Sequence, residues 1–472
     1  MSEYTPYIFL NRIDEGTVDD VYVDALDIAK NDNVSVVRIY SSDIYDLDID
    51  SLEIPEELNE GDLEKVTEAE QTATASSTDM RVDDHENFPS GTPYTGEGIK
   101  IGLLDTGIFD ASHFNFSDIT KEVVYDTYTA NNSEDSAQHP TWVASVLGGK
   151  SGYASKASIY YVDVNSETGY IGIERLISKG CHIVNMSISA NSCNNNGEYD
   201  TGLEGYLDYI YNSTKIIMVA SASNNLNKVG TGGFVALPAL CANVISVGSV
   251  TYAAVPVPSE FSSYKIKNDV ASNPNLVAVG TDRNVGGFGD LSGTSFSAPA
   301  VTGAIALYFE KYGVYELPEV LSVLLATADR NVNTATQSVR MYQLNSSNEY
   351  VPTGTFTTHT NNLKSNGLRE RTGAGVLDVT YLLMCNTFLC NSSMTFTSSN
   401  YVTIGNVYIG AGRTAQIALA WERAATRTVE GALWWQTETY SSDPLADFDL
   451  YLFDGDGSSV GIGWSSSSNV EI

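Results

Sequence analysis

The sequence predicts an α/β fold whose mostly parallel sheet is flanked by helices, with a small α/β segment before it and a β-sandwich after it. Apolar strand patterns alternate with helical patterns from about residue 94 onward. Residues 394–472 change to short apolar runs separated by Gly, Ser and Asp turns, which is typical of a β-sandwich. The 472 residues with 42% hydrophobic content provide enough apolar surface for several packed domains.

The amino-terminal part divides into two stretches. Residues 1–55 have a strand–helix–strand pattern, with strands at 7–10 and 34–40 around a helix at 21–30. Residues 56–92 are acidic and then rich in Thr and Ser, so they are interpreted as a linker.

The central region, residues 93–383, carries the predicted parallel sheet. Five of its strands are predicted at 100–104, 157–162, 183–187, 215–220 and 244–248. Helices are predicted between them at 169–180 and 198–212, and the connections should be right-handed crossovers. In such a sheet, functional groups collect beyond the carboxyl ends of the strands.

Three polar residues stand at element ends in the order Asp, His, Ser. Asp105 follows the first central strand and is followed by a Thr-Gly turn. His139 precedes Pro140 and an apolar helical pattern, and proline suits the first helical position. Ser295 opens a second helix of small and apolar residues, whose amino-terminal dipole favours negative charge. We therefore expect the three side chains to face one another.

These residue types are those that acyl transfer requires. A serine hydroxyl needs a neutral imidazole to accept its proton, and a buried carboxylate fixes the tautomer of that imidazole. The chain has 59 acidic residues and five histidines, so most of them are expected to be ordinary surface or core residues. Among the histidines, only His139 combines a helix start with suitable neighbours.

The blocks around these residues resemble those of the subtilisin-like (S8) serine peptidases across roughly residues 93–383. The matching segments are 103–107, 139–144, the Gly-Thr-Ser-x-x-Ala-Pro motif at 293–299, and Gly-Ala-Gly-Val-Leu-Asp at 373–378. The resemblance implies a serine endopeptidase that cleaves proteins or peptides through an acyl-enzyme. It implies the catalytic triad Asp105, His139 and Ser295 and no cofactor for catalysis.

The resemblance also implies an oxyanion donor and a substrate-binding strand. Asn224 ends a Ser-Ala-Ser-Asn segment that stands where the family has Ala-Ala-Gly-Asn, although Asn225 is adjacent and Ser223 replaces the glycine. Ser187, Ile188 and Ser189 correspond to the edge that binds the substrate backbone by strand addition. Ser189 and the residue after it replace common glycines, which would narrow the specificity pocket.

Two flanking regions have alternative interpretations. Residues 1–55 are either a short inhibitory propeptide, as many members of this family carry, or a plain extension. The carboxyl-terminal region resembles the jelly-roll-like module of some subtilases. Its four acidic residues could hold a structural calcium ion or form a solvated turn; they are Asp447, Asp449, Asp454 and Asp456.

Charge and cysteine content restrict the partners. The formal charge of −34 argues against nucleic acid or an anionic membrane as a partner. No apolar run is long enough to span a bilayer, and the first six residues lack the features of a signal peptide, although the family resemblance favours secretion. The five cysteines include Cys385 and Cys390, which are either a local disulfide or free thiols. The oligomeric state is not predicted.

Two other functions were considered. A pseudopeptidase that uses the groove only for binding would lack a catalytic residue, whereas all four groups are present here. An esterase with an α/β-hydrolase fold would carry Gly-x-Ser-x-Gly and the order Ser, Asp, His, and this chain has neither.

Overall fold

The fold was analysed in a computed structural model. It describes residues 7–13, 93–125, 138–150, 152–164, 169–189, 200–266, 273–285, 288–384, 414–432, 435–444, 448, 450–453, 459–463 and 470–472. The first strands are β1 (Tyr7–Ile13), β2 (Lys100–Asp105), β3 (Lys121–Tyr125), β4 (Ser158–Asp163), β5 (Ile183–Met186), β6 (Ile217–Ser221), β7 (Ile245–Thr251), β8 (Leu276–Thr281), β9 (Arg283–Val285) and β10 (Gly289–Leu291).

The remaining strands are β11 (Gln337–Leu344), β12 (Tyr350–His359), β13 (Thr414–Ala420), β14 (Ala425–Ala432), β15 (Trp435–Ser442), β16 (Leu450–Phe453), β17 (Ser459–Gly463) and β18 (Val470–Glu471). The helices are α1 (His139–Leu147), α2 (Gly172–Ser178), α3 (Thr201–Thr214), α4 (Thr294–Tyr312), α5 (Leu317–Thr327) and α6 (Val379–Met384).

A parallel sheet forms the centre of the molecule, as the sequence predicts. Its seven described strands lie in the order β3-β4-β2-β5-β6-β7-β8, and every neighbouring pair is parallel. Strands β5 and β6 are buried along their whole length, which explains why they consist of continuous apolar runs. Helix α4 packs across β5 to β8 and is buried over its first sixteen residues, from Thr294 to Phe309. This packing holds one helix start against the carboxyl edge of the sheet.

The predicted strand at 7–10 is present as β1, and it lies in a sheet with carboxyl-terminal strands. It pairs antiparallel with β13 from Tyr7↔Ala420 to Ile13↔Thr414, and β18 pairs with the other side of β13. Both β1 and β13 pack against α5. The helix and second strand predicted within residues 1–55, and the linker at 56–92, lie outside the described residues.

The other carboxyl-terminal strands form antiparallel pairs, as predicted for this region. The pairs are β14 with β15 and β16 with β17. The hairpin β14–β15 packs on α3, where Ser442 donates a hydrogen bond of 2.6 Å to Asp208 and Arg423 pairs with Glu204. Burial raises the pKa of Asp208 to about 7. The carboxyl-terminal strands are therefore joined to the central domain by buried polar contacts.

The hairpin β11–β12 is among the elements that were not predicted from the sequence. It interrupts the central region; half of its residues are exposed, and only Val339 and His359 are buried. Strand β11 is hydrogen-bonded to the segment after β6. The N–H of Val229 donates to the carbonyl of Tyr342, and the N–H of Tyr342 donates to the carbonyl of Asn227, each at 2.8 Å. The polar, Thr-rich sequence of β12 gives little apolar alternation by which a strand could be recognised.

Two further findings concern a proline bond and the lengths of the helices. The Leu237-Pro238 bond, which aligns with a cis bond in the resembled family, is cis. Across the described ranges, the helices are too short or too polar for any to cross a bilayer.

Candidate active site

Asp105 and His139 form a buried pair at the carboxyl ends of the strands of the central sheet. Asp105 is the last residue of β2, and His139 is the first residue of α1. The His139 Nδ1 atom lies 2.8 Å from Asp105 Oδ1, and both side chains are shielded from solvent. This contact is the carboxylate–imidazole interaction that was predicted from the sequence.

The surroundings of Asp105 oppose its ionisation. Complete burial raises the pKa of Asp105 above its ordinary value, while the His139 imidazole acts in the opposite direction. Its Oδ1 also accepts the backbone N–H of Thr106 at 2.8 Å, and its Oδ2 is buried without a hydrogen-bond partner among the described residues. The contact with His139 and, after it, the hydrogen bond from the Thr106 N–H therefore favour the charged carboxylate.

Ser295 is the second residue of α4. It is buried beside Ser187, the residue that follows β5. Its hydroxyl donates a 3.2 Å hydrogen bond to the carbonyl of Ser187. Its own carbonyl accepts a 2.9 Å hydrogen bond from the Ser187 hydroxyl. That carbonyl is available because Pro299, four residues later, has no N–H to bond to it within the helix. The proline of the motif thus lets Ser187 fix the backbone of Ser295.

The histidine and the serine lie on adjoining helix starts. The His139 ring contacts the ring of Phe296, the residue after Ser295, with a centroid distance of 6.1 Å. It also contacts the ring of Trp142, which occupies the place of the second family histidine, with a centroid distance of 6.4 Å. Helices α1 and α4 pack directly against each other. The start of α4, which contains Ser295, therefore lies next to the Asp105–His139 pair.

Asn224 lies close to the same helix start. It follows β6 in a loop and is half-buried. Its Oδ1 accepts hydrogen bonds from both the backbone N–H and the hydroxyl of Thr294, each 2.9 Å long. Both donors reach the carbonyl end of the amide, so its NH₂ end is directed away from Thr294 and remains a donor.

Ser223, which stands in place of the family glycine, has a left-handed backbone. Its φ is +86°, a region that L side chains rarely adopt and that glycine adopts at no steric cost. The conformation explains the glycine in the family motif, and the serine here keeps it at some cost in strain.

Ser187, Ile188 and Ser189 continue the chain beyond the end of β5. Ser187 and Ile188 are buried, whereas Ser189 is half exposed. Ser187 is hydrogen-bonded to Ser295, and the substrate-binding role of the three residues stays a prediction; the residue after Ser189 lies outside the described part.

Several contacts of the site were not predicted. Thr294 orients Asn224, Phe296 contacts His139, and the Ser187 hydroxyl binds the Ser295 carbonyl. Thr294 and Phe296 flank Ser295 in the sequence, so the motif itself was the available signal. Nothing near Ser187 in the sequence indicates its hydroxyl contact, because the partner is 108 residues away.

The described residues contain no group of three or more His, Cys, Asp or Glu side chains that could hold a metal ion. The four acidic residues considered for calcium are outside the described ranges. Cys181 and Cys241 are both buried.

Comparison with known proteins agrees with this geometry. The sequence profile of the subtilase family (Peptidase_S8) matches residues 96–375. The chain belongs to the subtilase family.

Two characterised subtilases illustrate the similarity. The chain is 29% identical to subtilisin DY of Bacillus licheniformis over 250 residues, which cover 50% of this chain and 85% of that protein. It is 30% identical to the major intracellular serine protease of Bacillus subtilis (strain 168) over 229 residues, which cover 45% of this chain and 68% of that protein. These similarities support a serine protease.

Solved structures were also compared. A cold-adapted subtilisin-like serine proteinase matches with a TM-score of 0.42 and 21% identity, over 54% of this chain and 94% of that one.

Proposed function

We propose that this subtilase is a serine endopeptidase in which Asp105, His139 and Ser295 form the catalytic triad and Asn224 donates to the oxyanion. The observation that carries the proposal is the buried 2.8 Å contact between Asp105 and His139. The imidazole also packs against Phe296 in the first turn of α4, next to Ser295. A protein or a peptide is the substrate, and catalysis requires no cofactor.

In this mechanism Asp105 accepts a hydrogen bond from the Nδ1–H of His139, and this tautomer leaves Nε2 unprotonated as the base. His139 Nε2 takes the Ser295 hydroxyl proton as Oγ attacks the scissile carbonyl. The hydroxyl donates to the Ser187 carbonyl in the free enzyme, so it must rotate toward His139 before attack. The imidazolium then protonates the leaving amine, and a water molecule releases the acyl group by the same path.

The oxyanion is stabilised by donors fixed before the reaction. The Asn224 NH₂ group is held by the two contacts of its Oδ1 with Thr294. The backbone N–H of Ser295 lies in the first turn of α4, where N–H groups have no acceptor within the helix. Ser187, Ile188 and Ser189 bind the substrate backbone as an added strand.

Hydrolysis of fluorescein-labelled casein by the wild type and by Ser295→Ala tests the proposal. We expect the wild type to cleave casein and the variant to lose activity by about 10⁴-fold or more. Equal rates would disprove the role of Ser295. A folded wild type that binds peptides but neither cleaves them nor reacts with a fluorophosphonate would be a pseudopeptidase.

A peptide blocked at both ends distinguishes an endopeptidase from an exopeptidase. We expect an internal cleavage of an acetylated and amidated peptide, detected by mass spectrometry. Cleavage that occurs only when one terminus is free would contradict the endopeptidase assignment.

A further inference from the structure

We propose that Ser263 is a positioning residue for oxyanion stabilisation, holding the loop that carries Asn224. The inference rests on the proposed role of Asn224 as a donor. Ser263 is fully buried and lies in the segment between β7 and β8, far from the triad in sequence.

Ser263 binds the backbone on both sides of Asn224. Its N–H donates a 3.0 Å hydrogen bond to the carbonyl of Ser223. Its Oγ accepts a 3.1 Å hydrogen bond from the N–H of Asn225. A third contact follows, since the N–H of Leu226 donates to the carbonyl of Phe261 at 3.0 Å. The segment 261–263 thereby binds the backbone of residues 223, 225 and 226, on both sides of Asn224.

The loop needs such a restraint because it has left the β6 ladder. Ser223 holds a left-handed φ of +86°, and a strained residue keeps its conformation only where its surroundings impose it. Thr294 fixes the Asn224 amide only at its Oδ1 end. If the backbone of Asn225 moved, the Asn224 Cα would move with it and the NH₂ group would no longer meet the oxyanion.

The segment that carries Ser263 is itself held firmly. The next residue, Tyr264, has its hydroxyl 3.1 Å from His359 Nδ1, and the buried Arg371 donates to the carbonyl of Ser259 at 3.0 Å. Within the described part of the chain, Ser262 forms no hydrogen bond with residues 223–226. Its hydroxyl instead accepts a 3.0 Å hydrogen bond from the N–H of Ser249 in β7. The two adjacent serines therefore accept the same kind of buried backbone hydrogen bond, but only Ser263 supports Asn224.

This pair provides a matched experiment. We expect Ser263→Ala to lower kcat by about 10- to 100-fold with little change in KM, since a small misplacement of a catalytic group affects the transition state. Ser262→Ala loses an equivalent hydrogen bond and should keep kcat within about twofold of the wild type. Rates are expressed per active site, counted by complete fluorophosphonate labelling, so that unfolded molecules do not contribute.

A double variant separates positioning from a general structural effect. If Ser263 acts through Asn224, then Asn224→Ala/Ser263→Ala should have the same kcat as Asn224→Ala alone. Ser263→Cys, which keeps the volume but accepts hydrogen bonds weakly, should lie between the wild type and Ser263→Ala and replaces the alanine variant if that one does not fold.

The outcomes distinguish the two claims. Equal kcat losses in Ser262→Ala and Ser263→Ala, or additive losses in the double variant, would overturn the inference. A normal kcat in Ser263→Ala with a large loss in Asn224→Ala would overturn it while leaving the proposed function intact. A normal kcat in Asn224→Ala would refute the oxyanion assignment itself, and the inference with it.

Discussion

The two sides of the site are built by different means. On the acid–base side, Asp105 ends a buried strand and His139 begins a helix, so regular elements fix both residues. On the oxyanion side, Asn224 lies in an irregular loop that contains a left-handed serine. Contacts from Thr294 and from the segment 261–263 hold that loop.

The difference indicates where each side is vulnerable. Distortion of the acid–base pair would require displacement of a strand or a helix that is packed in the core. The oxyanion side depends on a few hydrogen bonds, so a single buried hydroxyl can alter it. Changes on the first side should therefore abolish the reaction, and changes on the second should reduce it.

The largest effect is expected for His139→Ala. Without the imidazole, no base accepts the proton of the Ser295 hydroxyl. The rate at which Ser295 reacts with a fluorophosphonate probe should therefore fall by about 10⁴-fold or more. Labelling rates measured by gel fluorescence check this, and circular dichroism shows whether the variant is folded. His182→Ala, which removes a half-buried histidine elsewhere, should label like the wild type. Equal labelling of His139→Ala and the wild type would contradict the triad.

The next largest effect is expected for Asn224→Ala. The proposed hydrogen bond from the Asn224 NH₂ group to the oxyanion strengthens as negative charge develops. Its loss should therefore lower kcat and leave KM nearly constant. The scale is taken from the oxyanion amide of subtilisin and is on the order of 10²–10³ in kcat. Steady-state kinetics on a peptide substrate measure it, with Asn225→Ala as the control. A large kcat loss in Asn225→Ala alone would move the role to that residue.

A smaller effect concerns the pH dependence of the segment behind the oxyanion loop. Burial, followed by the positive charges of Arg371 and Lys265, lowers the pKa of His359 from 6.5 to about 4. The unfolded chain therefore binds this proton more readily than the folded chain. The stability that His359 contributes is present above pH 6.5 and is lost as the pH falls from 6.5 to 4, by about 1–3 kcal/mol.

Urea unfolding of the inactive Ser295→Ala variant, which cannot digest itself, measures this dependence. Adding His359→Gln should flatten the curve between pH 6.5 and 4 relative to its parent. An unchanged slope would mean that His359 titrates in the folded protein as it does in the unfolded chain.

The smallest effect is expected for Ser223→Gly. Glycine relieves the left-handed strain but increases the entropy of the unfolded chain, so the free energy of unfolding should change by between zero and a gain of about 1 kcal/mol. Ser221→Gly, in the regular β6 strand, should instead lose about 0.5–1 kcal/mol. The same urea measurement compares the two. A greater loss at Ser223 than at Ser221 would show that the serine side chain is needed there.

The same contrast explains how much could be predicted from the sequence. The strands around Asp105 were predicted because a buried parallel strand is a continuous apolar run, and the helix at His139 because proline marks its start. The position of Asn224 was predicted only through the family motif. Its support from Ser263 was not, because that contact joins residues 38 apart in the sequence through a hydroxyl in a Ser-rich stretch.

The hairpin β11–β12 and the pairing of β1 with β13 were missed for a related reason. Strands with few buried residues on either face carry little apolar alternation, and strand pairing between distant segments leaves no local pattern. Burial on both faces of a sheet constrains each residue type strongly, whereas partner choice at long range does not.

The pairing of β1 with β13 also has a consequence for protein synthesis. Tyr7–Ile13 leaves the ribosome some four hundred residues before its partner Thr414–Ala420. At roughly 5–20 residues per second, the first strand waits on the order of tens of seconds for its neighbour. During that interval the seven described strands of the central sheet, which all precede residue 282, are synthesised. We therefore expect the catalytic region to fold during translation and the sheet that contains β1 to close last.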